Sequence, residues 1–210
     1  MAALGQSGRM PIGVLTIARV RYQGGGDWYN DPSCIPNLCS FIRSNTGVDV
    51  EEREVQIALD DPDLFSHPIL FLTGHGRIAF NDAETKALRK YLLGGGFLYA
   101  DDDYGMDAFF RREMKKVFPD REWLELPFSH GLYSVVFRFD HGLPKIHEHD
   151  NKPPQGFVLL DDRGRVMVFY SYESNVSDGW VDPDVHRDPP ERRQTALQMG
   201  TNIIVWALLN

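Results

Sequence analysis

Short apolar runs alternate along this chain with stretches whose apolar residues recur at helical spacing. Residues 69–73 and 97–101 are built around runs of large apolar side chains bounded by Gly, Pro or Asp, which is typical of strands buried on both faces. Two mixed stretches rich in β-branched residues, 12–22 and 48–59, predict two further strands. Helical spacing is found in residues 35–42, 81–92, 108–118 and 191–209. The pattern predicts an α/β fold with a mainly parallel sheet and helices on both faces.

The C-terminal half is predicted to be less regular. Residues 156–162 and 165–171 read as a hairpin around Asp162-Arg163-Gly164, and residues 135–139 predict one more short strand. Residues 141–154 and 172–190 read as long loops. Loops of that length inside a domain are usually functional or disordered, and the aromatic residues of the second loop favour order.

Composition limits the classes of partner. With 210 residues and 42% hydrophobic content, residues 12–210 are predicted to form a single domain after a flexible segment at residues 1–11. The formal charge of -8, with no basic cluster longer than Arg192-Arg193, disfavours a nucleic-acid partner. No run of about 18 apolar residues predicts a membrane span. The small residues near the start leave two locations open, the periplasm after removal of an export signal and the cytoplasm.

Both cysteines fall in the first predicted helix. Cys34 and Cys39 are five positions apart, so about 100° per residue turns them roughly 140° away from each other. We therefore predict two small buried side chains rather than a disulfide.

Three adjacent carboxylates follow the central predicted strand. Asp101, Asp102 and Asp103 stand at its carboxyl end, where ligands gather in open parallel sheets. Like charges this close repel, so at least one of them needs a cation, an arginine or a proton. We predict catalytic roles for Asp102 and Asp103 together with His75, which stands between two glycines at the end of another strand. The alternative for His75 is a turn histidine bonded to backbone.

Aromatic and acidic residues cluster in the neighbouring loops. Because aromatic faces with carboxylates suit sugar rings, we predict that these residues bind a small polar ligand. The phosphate-binding pattern Gly-x-Gly-x-x-Gly is absent after the first strand. For Asp31 the alternative is that it caps the next helix. The predicted ligand-binding residues are Asp27, Trp28, Tyr29, Asp31, Tyr104, Glu173, Asp178 and Trp180.

The loop at residues 141–154 carries a His-x-His pair. In an extended segment His147 and His149 face the same side, as two ligands of one metal must. We predict that they bind a divalent cation together with His75 or an aspartate of the 101–103 run. Imidazole and carboxylate ligands suit zinc, manganese or iron. The alternative is a polar surface loop.

Five motifs are distributed along the chain: Gly-Asp-Trp-Tyr-Asn-Asp-Pro at 26–32, Leu-Thr-Gly-His-Gly at 72–76, Gly-Gly-Gly-Phe-Leu-Tyr-Ala-Asp-Asp at 94–102, His-Glu-His-Asp at 147–150 and Asp-Gly-Trp-x-Asp-Pro at 178–183. Together they resemble one bacterial family, called domain of unknown function 4159. That family in turn resembles the ThuA-like and class I glutamine amidotransferase-like proteins, which implies a flavodoxin-like layered sheet. In that superfamily the turn after the central strand carries the amidotransferase cysteine.

This chain departs from the amidotransferase pattern at that turn. Asp102, Asp103 and Tyr104 stand there, and a carboxylate cannot replace a thiolate in thioester chemistry. Two classes of function are left: a hydrolase-like or lyase-like enzyme acting on a small polar, sugar-like ligand, and a binding module without catalysis. The enzyme class requires Asp102, His75 and the 147–149 loop to converge in one pocket.

Overall fold

The computed structural model describes residues 14–210, and the prediction for residues 1–11 lies outside that range. One seven-stranded sheet, in the order β2-β1-β3-β4-β7-β6-β5, runs through the structure. Strands β1 to β4 and β7 are parallel, whereas β6 pairs antiparallel with β7 and β5 pairs antiparallel with β6. The strands are β1 Ile17–Arg21, β2 Val55–Ala58, β3 Ile69–His75, β4 Phe97–Tyr104, β5 Leu124–Glu125, β6 Gln155–Leu160 and β7 Val166–Tyr172.

The predicted mainly parallel sheet of an α/β fold is confirmed, although two strands are shorter than the sequence stretches that predicted them. Of the stretch 12–22, the described residues 14–22 form a strand at Ile17–Arg21, and residues 48–59 form one at Val55–Ala58, with an isolated bridge between Leu15 and Val50. The prediction of a strand at residues 135–139 is wrong. The Asn202 side chain accepts hydrogen bonds from the backbone N–H of Val136 and Phe137 and donates one to the Phe137 carbonyl, so these groups are satisfied without a ladder.

Two helices cover each face of the sheet. Helices α1 and α5 pack on one face, and α2 and α3 pack on the other. A fifth, very short helix, α4, precedes α5, and single 3₁₀ turns lie at Pro62–Ser66, Gly131–Tyr133 and Ser177–Trp180. Among the described residues no helix combines the length and apolarity needed to cross a bilayer. The helices are α1 Cys34–Asn45, α2 Asp82–Leu93, α3 Asp107–Val117, α4 Pro183–His186 and α5 Pro190–Leu209.

Local sequence signals explain the ends and the buried sides of these helices. Asn81 and Glu84 form a reciprocal capping box at the start of α2, in which each side chain bonds the other residue's backbone N–H. Cys34 and Cys39 are free and fully buried on α1, which confirms that they are small core side chains.

Alternation along β4 decides where the three acids point. Tyr99 packs in the core beneath α1 and α5, whereas Leu98 and Ala100 pack beneath α2 and α3. Because side chains alternate along a strand, Asp101 and Asp103 continue the Tyr99 side and Asp102 continues the other. Asp101 and Asp103 therefore lie on the α1 and α5 side of the sheet, and Asp102 lies on the α2 and α3 side.

Arg19 on β1 holds the loop that follows its own strand. Its side chain is 1% exposed, and its Nε donates to Glu54 Oε2 at 2.9 Å. The two Nη atoms donate to the carbonyls of Trp28, Asn30 and Asp31 at 2.9–3.1 Å. Because a buried guanidinium is costly unless every donor is used, these bonds fix the path of residues 28–31.

We expect Arg19→Met to destabilise the protein by about 3–5 kcal/mol, because the change leaves Glu54 buried without its partner and frees three carbonyls. Arg21→Met is the matched control, since Arg21 is exposed on the same strand. Chemical denaturation measures the free energy of unfolding, and hydrogen exchange should show faster opening at residues 28–31. A loss below about 1 kcal/mol, no larger than that of the control, would contradict this role.

Candidate functional site

A cleft of about 330 Å³ opens at the carboxyl end of the parallel strands. Seven of the predicted site residues line it: Asp31, His75, Asp103, Tyr104, His147, His149 and Asp178. Four others that were not predicted also line it: Asn30, Glu148, Asn175 and His186. We call this the acidic cleft. The structure brings His75 and the 147–149 loop together with Asp103 in this cleft, whereas Asp102, which the enzyme class required there, does not line it.

Asp103 lies at the centre of the acidic cleft and is 3% exposed. Asn175 Nδ2 donates to its Oδ1 at 3.0 Å, Asn30 Nδ2 donates to its Oδ2, and His75 Nδ1 lies 3.2 Å from Oδ2. Burial raises the pKa of Asp103 to about 9, and the nearby carboxylate of Asp178 adds to that shift. Without another cation, Asp103 therefore holds a proton at neutral pH.

A bulge at the end of β3 brings His75 to the cleft. The register shifts between Gly74 and His75, and Gly74 has a φ of 137° in close contact with Tyr22 and Asp27, where a Cβ atom would not fit. Asp27 then accepts the His75 backbone N–H at 2.5 Å, and its Oδ2 lies 3.0 Å from Nδ1. Asp27 thus orients the imidazole.

His147 lies between two carboxylates on the opposite wall. Its Nδ1 is 2.6 Å from Asp178 Oδ2, and its Nε2 is 2.9 Å from Asp188 Oδ2. The hydrogen bond to Asp178 raises the pKa of His147 although burial opposes it. Burial works to raise the pKa of Asp178, but hydrogen bonds from His147 and Asn175 bring that pKa below its usual value.

His186, the last residue of α4, lies on the same wall of the cleft as His147. Its Nε2 is 3.5 Å from Asp31 Oδ1 and 4.0 Å from Asp178 Oδ2. The imidazole rings of His147 and His186 meet edge to face at 5.0 Å between centroids. Asp31 therefore faces the cleft, and no side chain caps the first turn of α1.

Two groups of side chains place their ligand atoms within 4.8 Å of one another, as a bound cation requires. One group consists of His147, Asp178 and His186, and the other consists of Asp31, Asp103 and Asp178. His149 belongs to neither group. Its ring packs against Tyr104 with 4.8 Å between centroids.

Three buried oxygen atoms of the cleft have no hydrogen-bond partner among the described residues: Asn30 Oδ1, Asn175 Oδ1 and Asp178 Oδ1. The backbone around them is also unusual, since Asp31, Glu173, Asn175 and Arg187 all have φ between 49° and 58°. Non-glycine residues in the left-handed region cost free energy and cluster at functional sites.

Asp101 and Asp102 support the cleft from outside it. Asp101 is fully buried and accepts hydrogen bonds from Ser171 Oγ and from the N–H and Oγ of Ser177 at 2.6 and 2.7 Å. It thereby holds the turn that carries Asp178. Asp102 accepts the Met106 N–H at 3.1 Å at the start of α3. Burial raises the pKa of Asp102 to about 7.

The other predicted ligand-binding residues do not line the cleft. Trp180 is in the core between Phe71 and Tyr99, and its Nε1 donates to the Ala196 carbonyl at 2.9 Å. Trp28 is partly buried against the α2 and α3 side of the core, and Tyr29 is 64% exposed beside it.

Glu173 is fully buried, with Lys145 Nζ at 2.9 Å, and so holds the histidine loop in place.

Four functional residues that sequence reasoning missed come from two loops, the one after β1 and the one after β7. His186 and Asp188 stand two positions apart, in the long loop that was expected to be functional, and this His-x-Asp spacing was the available signal. Asn30 and Asn175 carry no charge, and single asparagines in loops give no pattern that distinguishes them. Only the fold brings these four residues together.

In a comparison with protein families, residues 16–208 match the family described as Domain of unknown function (DUF4159). A search of curated proteins finds no match.

We expect Asp102→Asn to change how stability depends on pH. The folded pKa of about 7 lies above the usual 3.8, so the native state binds the proton more tightly. The stabilisation that the protonated Asp102 carboxyl gives the folded state is complete below about pH 4 and is lost as the pH rises to 7. The free energy of unfolding of the variant relative to wild type should therefore rise across that window, by about 2–4 kcal/mol.

Urea denaturation at several pH values in the presence of a chelator measures this difference. Asp162→Asn is the control, because that side chain is 90% exposed. A difference for Asp102→Asn that stays flat between pH 4 and pH 7, like that of the control, would contradict the raised pKa.

Proposed function

The chain belongs to the family Domain of unknown function (DUF4159), and we propose that it is a hydrolase-like enzyme that depends on a divalent cation held in the acidic cleft. The observation that carries this proposal is the convergence of His147, Asp178 and His186 within 4.8 Å. Two imidazoles and a carboxylate suit zinc, manganese or iron. A small polar, sugar-like molecule is the proposed substrate.

The surroundings of His147 support a metal-binding role. Histidines that bind metals usually donate their second N–H to a carboxylate, which fixes the tautomer and the ring orientation. Asp188 is placed for this at 2.9 Å from Nε2, and Arg192 Nη1 lies 3.2 Å from the other Asp188 oxygen. The cation would take the place of the proton between Nδ1 and Asp178 Oδ2.

The crowding of carboxylates gives a second argument. Asp31, Asp103 and Asp178 place oxygen atoms within 4.8 Å of one another, and three ionised carboxylates at that distance in a partly buried site would repel strongly. Burial and this repulsion together keep a proton on Asp103. A divalent cation would take the place of that proton. It also gives a partner to Asp178 Oδ1, which has none among the described residues.

The proposed chemistry is attack by water. A bound divalent cation would supply a water molecule of lowered pKa. His75 is placed to take a proton from such a water, because Asp27 holds its Nδ1 and no described residue hydrogen-bonds its Nε2. In the proposed hydrolysis the water oxygen would bond to the electrophilic carbon of the substrate, and the bond to the leaving group would break as His75 returns the proton to it.

The size of the cleft and its aromatic wall support a small polar substrate. A volume of about 330 Å³ is at the lower end of the range for ligand pockets, roughly 300–1,000 Å³. Tyr104 is 51% exposed at the wall and offers a ring face beside polar groups.

The resemblance to ThuA-like and amidotransferase-like proteins is part of the proposal. The parallel strands run in the order β2-β1-β3-β4-β7, which supports a flavodoxin-like arrangement with its site at the carboxyl edge of the strands. Thioester chemistry on glutamine is not proposed. The residues that line the cleft include no Cys, Ser, Thr or Lys, and both cysteines are buried in α1.

A second candidate is a module that binds a small polar ligand through the cation without catalysis. The absence of a cysteine, serine or threonine nucleophile from the cleft lining favours it, and so does the position of Asp102 outside the cleft. Turnover distinguishes the two candidates. Hydrolysis of small glycosides or esters that requires both the cation and His75 supports the enzyme, whereas cation-dependent ligand binding without turnover supports the module.

We expect chelator-treated protein to bind Zn²⁺ or Mn²⁺, and the double variant His147→Ala with His186→Ala to bind it at least about 100-fold more weakly, because two ligands are lost. Calorimetric titration measures the affinity. His141→Ala is the matched control, since His141 is an exposed histidine of the same loop and lies outside the cleft.

Cation binding should also raise the melting temperature of wild type and of the control. The proposal fails if the double variant keeps the affinity of wild type, or if wild type binds neither ion.

A further inference from the structure

We infer that the acidic cleft has a second cation position, made only of oxygen atoms, beside the histidine-containing one, and that Asp178 bridges the two. The inference rests on the proposed function for the first position. It assigns a separate role to Asp31, Asp103, Asn30 and Asn175, which the first position does not use.

The two groups of ligand atoms share only Asp178. In the first group, Asp178 Oδ2 bonds His147 Nδ1 at 2.6 Å. In the second group, oxygen atoms of Asp31 and Asp103 lie within 4.8 Å of the same carboxylate. A carboxylate has two oxygen atoms, and Asp178 Oδ1 is buried without a partner among the described residues. One oxygen can thus serve each position.

Unpartnered amide oxygens give an independent indication of a ligand. Asn175 is 2% exposed, and its Nδ2 donates to both Asp103 Oδ1 at 3.0 Å and Asp178 Oδ2 at 2.8 Å. Asn175 and Asn30 both line the cleft, and the Oδ1 atom of each is buried with no donor in the described part of the chain. A buried acceptor without a partner costs about 1–3 kcal/mol, and a coordinated cation removes that cost.

The backbone conformation of Asn175 supports its role as a ligand of the second cation position. Asn175 holds a φ of 54°, a conformation that costs free energy and that fixes its amide between Asp103 and Asp178. The backbone of Asp31 is strained in a similar way, with a φ of 49°, and its carboxylate belongs to the same ligand group as Asp103 and Asp178.

The two positions differ in the cations they favour. Carboxylate and amide oxygens are the ligands of Mg²⁺, Ca²⁺ and Mn²⁺, whereas the imidazoles of His147 and His186 favour Zn²⁺ or another transition metal. Hydrolytic sites with two metals hold them about 3.5–4 Å apart and stabilise the attacking and leaving oxygens together. The acidic cleft would therefore take two different cations.

The test uses chelator-treated full-length protein loaded with one equivalent of Zn²⁺ and then titrated with Mn²⁺. Electron paramagnetic resonance counts the free Mn²⁺, and elemental analysis after desalting counts both metals. We expect wild type to take one further Mn²⁺ per chain. Asp103→Asn should keep the Zn²⁺ and bind Mn²⁺ at least about 100-fold more weakly, because it removes a charged ligand.

Glu148→Gln is the matched control. Glu148 lines the cleft with a carboxylate that is 70% exposed and belongs to neither ligand group, so this variant should keep both cations. If Asp103→Asn does not fold, Asn30→Ala replaces it, since Asn30 is only partly buried. This variant should also lose Mn²⁺ and keep Zn²⁺.

The outcomes separate the two claims. A single cation per wild-type chain overturns the second position and leaves the proposed function standing, whereas no bound cation overturns both. Retention of the second cation by Asp103→Asn, or its loss from Glu148→Gln, also overturns the inference.

Discussion

Burial of carboxylates at the end of β4 is the constraint on which the rest of the site depends. A charged group in low dielectric must find donors, a proton or a cation. Asp101 uses two serines, Asp102 uses the backbone N–H of Met106 just before α3, and Asp103 uses His75 and two asparagines. Because these partners come from the end of β3, from β7 and from the segments after β1, β4 and β7, satisfying three adjacent acids also positions these parts of the cleft.

The loops are held rigidly by interactions outside the cleft. Arg19 ties residues 28–31 to the sheet, Asp101 ties the turn at Ser177, and Glu173 with Lys145 ties the histidine loop. Such support explains how left-handed residues such as Asp31 and Asn175 persist despite their conformational cost. It also means that the cleft is assembled before any ligand arrives, as ligand and metal sites require.

The sequence predicted the parts of this arrangement that follow from local pattern. Apolar runs identified β3 and β4, the hairpin signal identified β6 and β7, and the place of Asp103 and His75 followed from the strand ends. Tertiary contacts decided the rest. Residues 135–139 have strand character, but Asn202 satisfies their backbone. Trp180 resembles a ligand-binding aromatic, but the turn held by Asp101 inserts it in the core. His186 reaches His147 only through the path of the last long loop.

Anomalous diffraction from crystals grown with Zn²⁺ and Mn²⁺ tests the central claim, that the buried acids and histidines form a cation site, most directly. Maps recorded at the two absorption edges should show zinc at His147, Asp178 and His186, and manganese at Asp31, Asp103 and Asp178. No anomalous peak in the cleft, or metal found only at exposed histidines such as His141, would contradict the account.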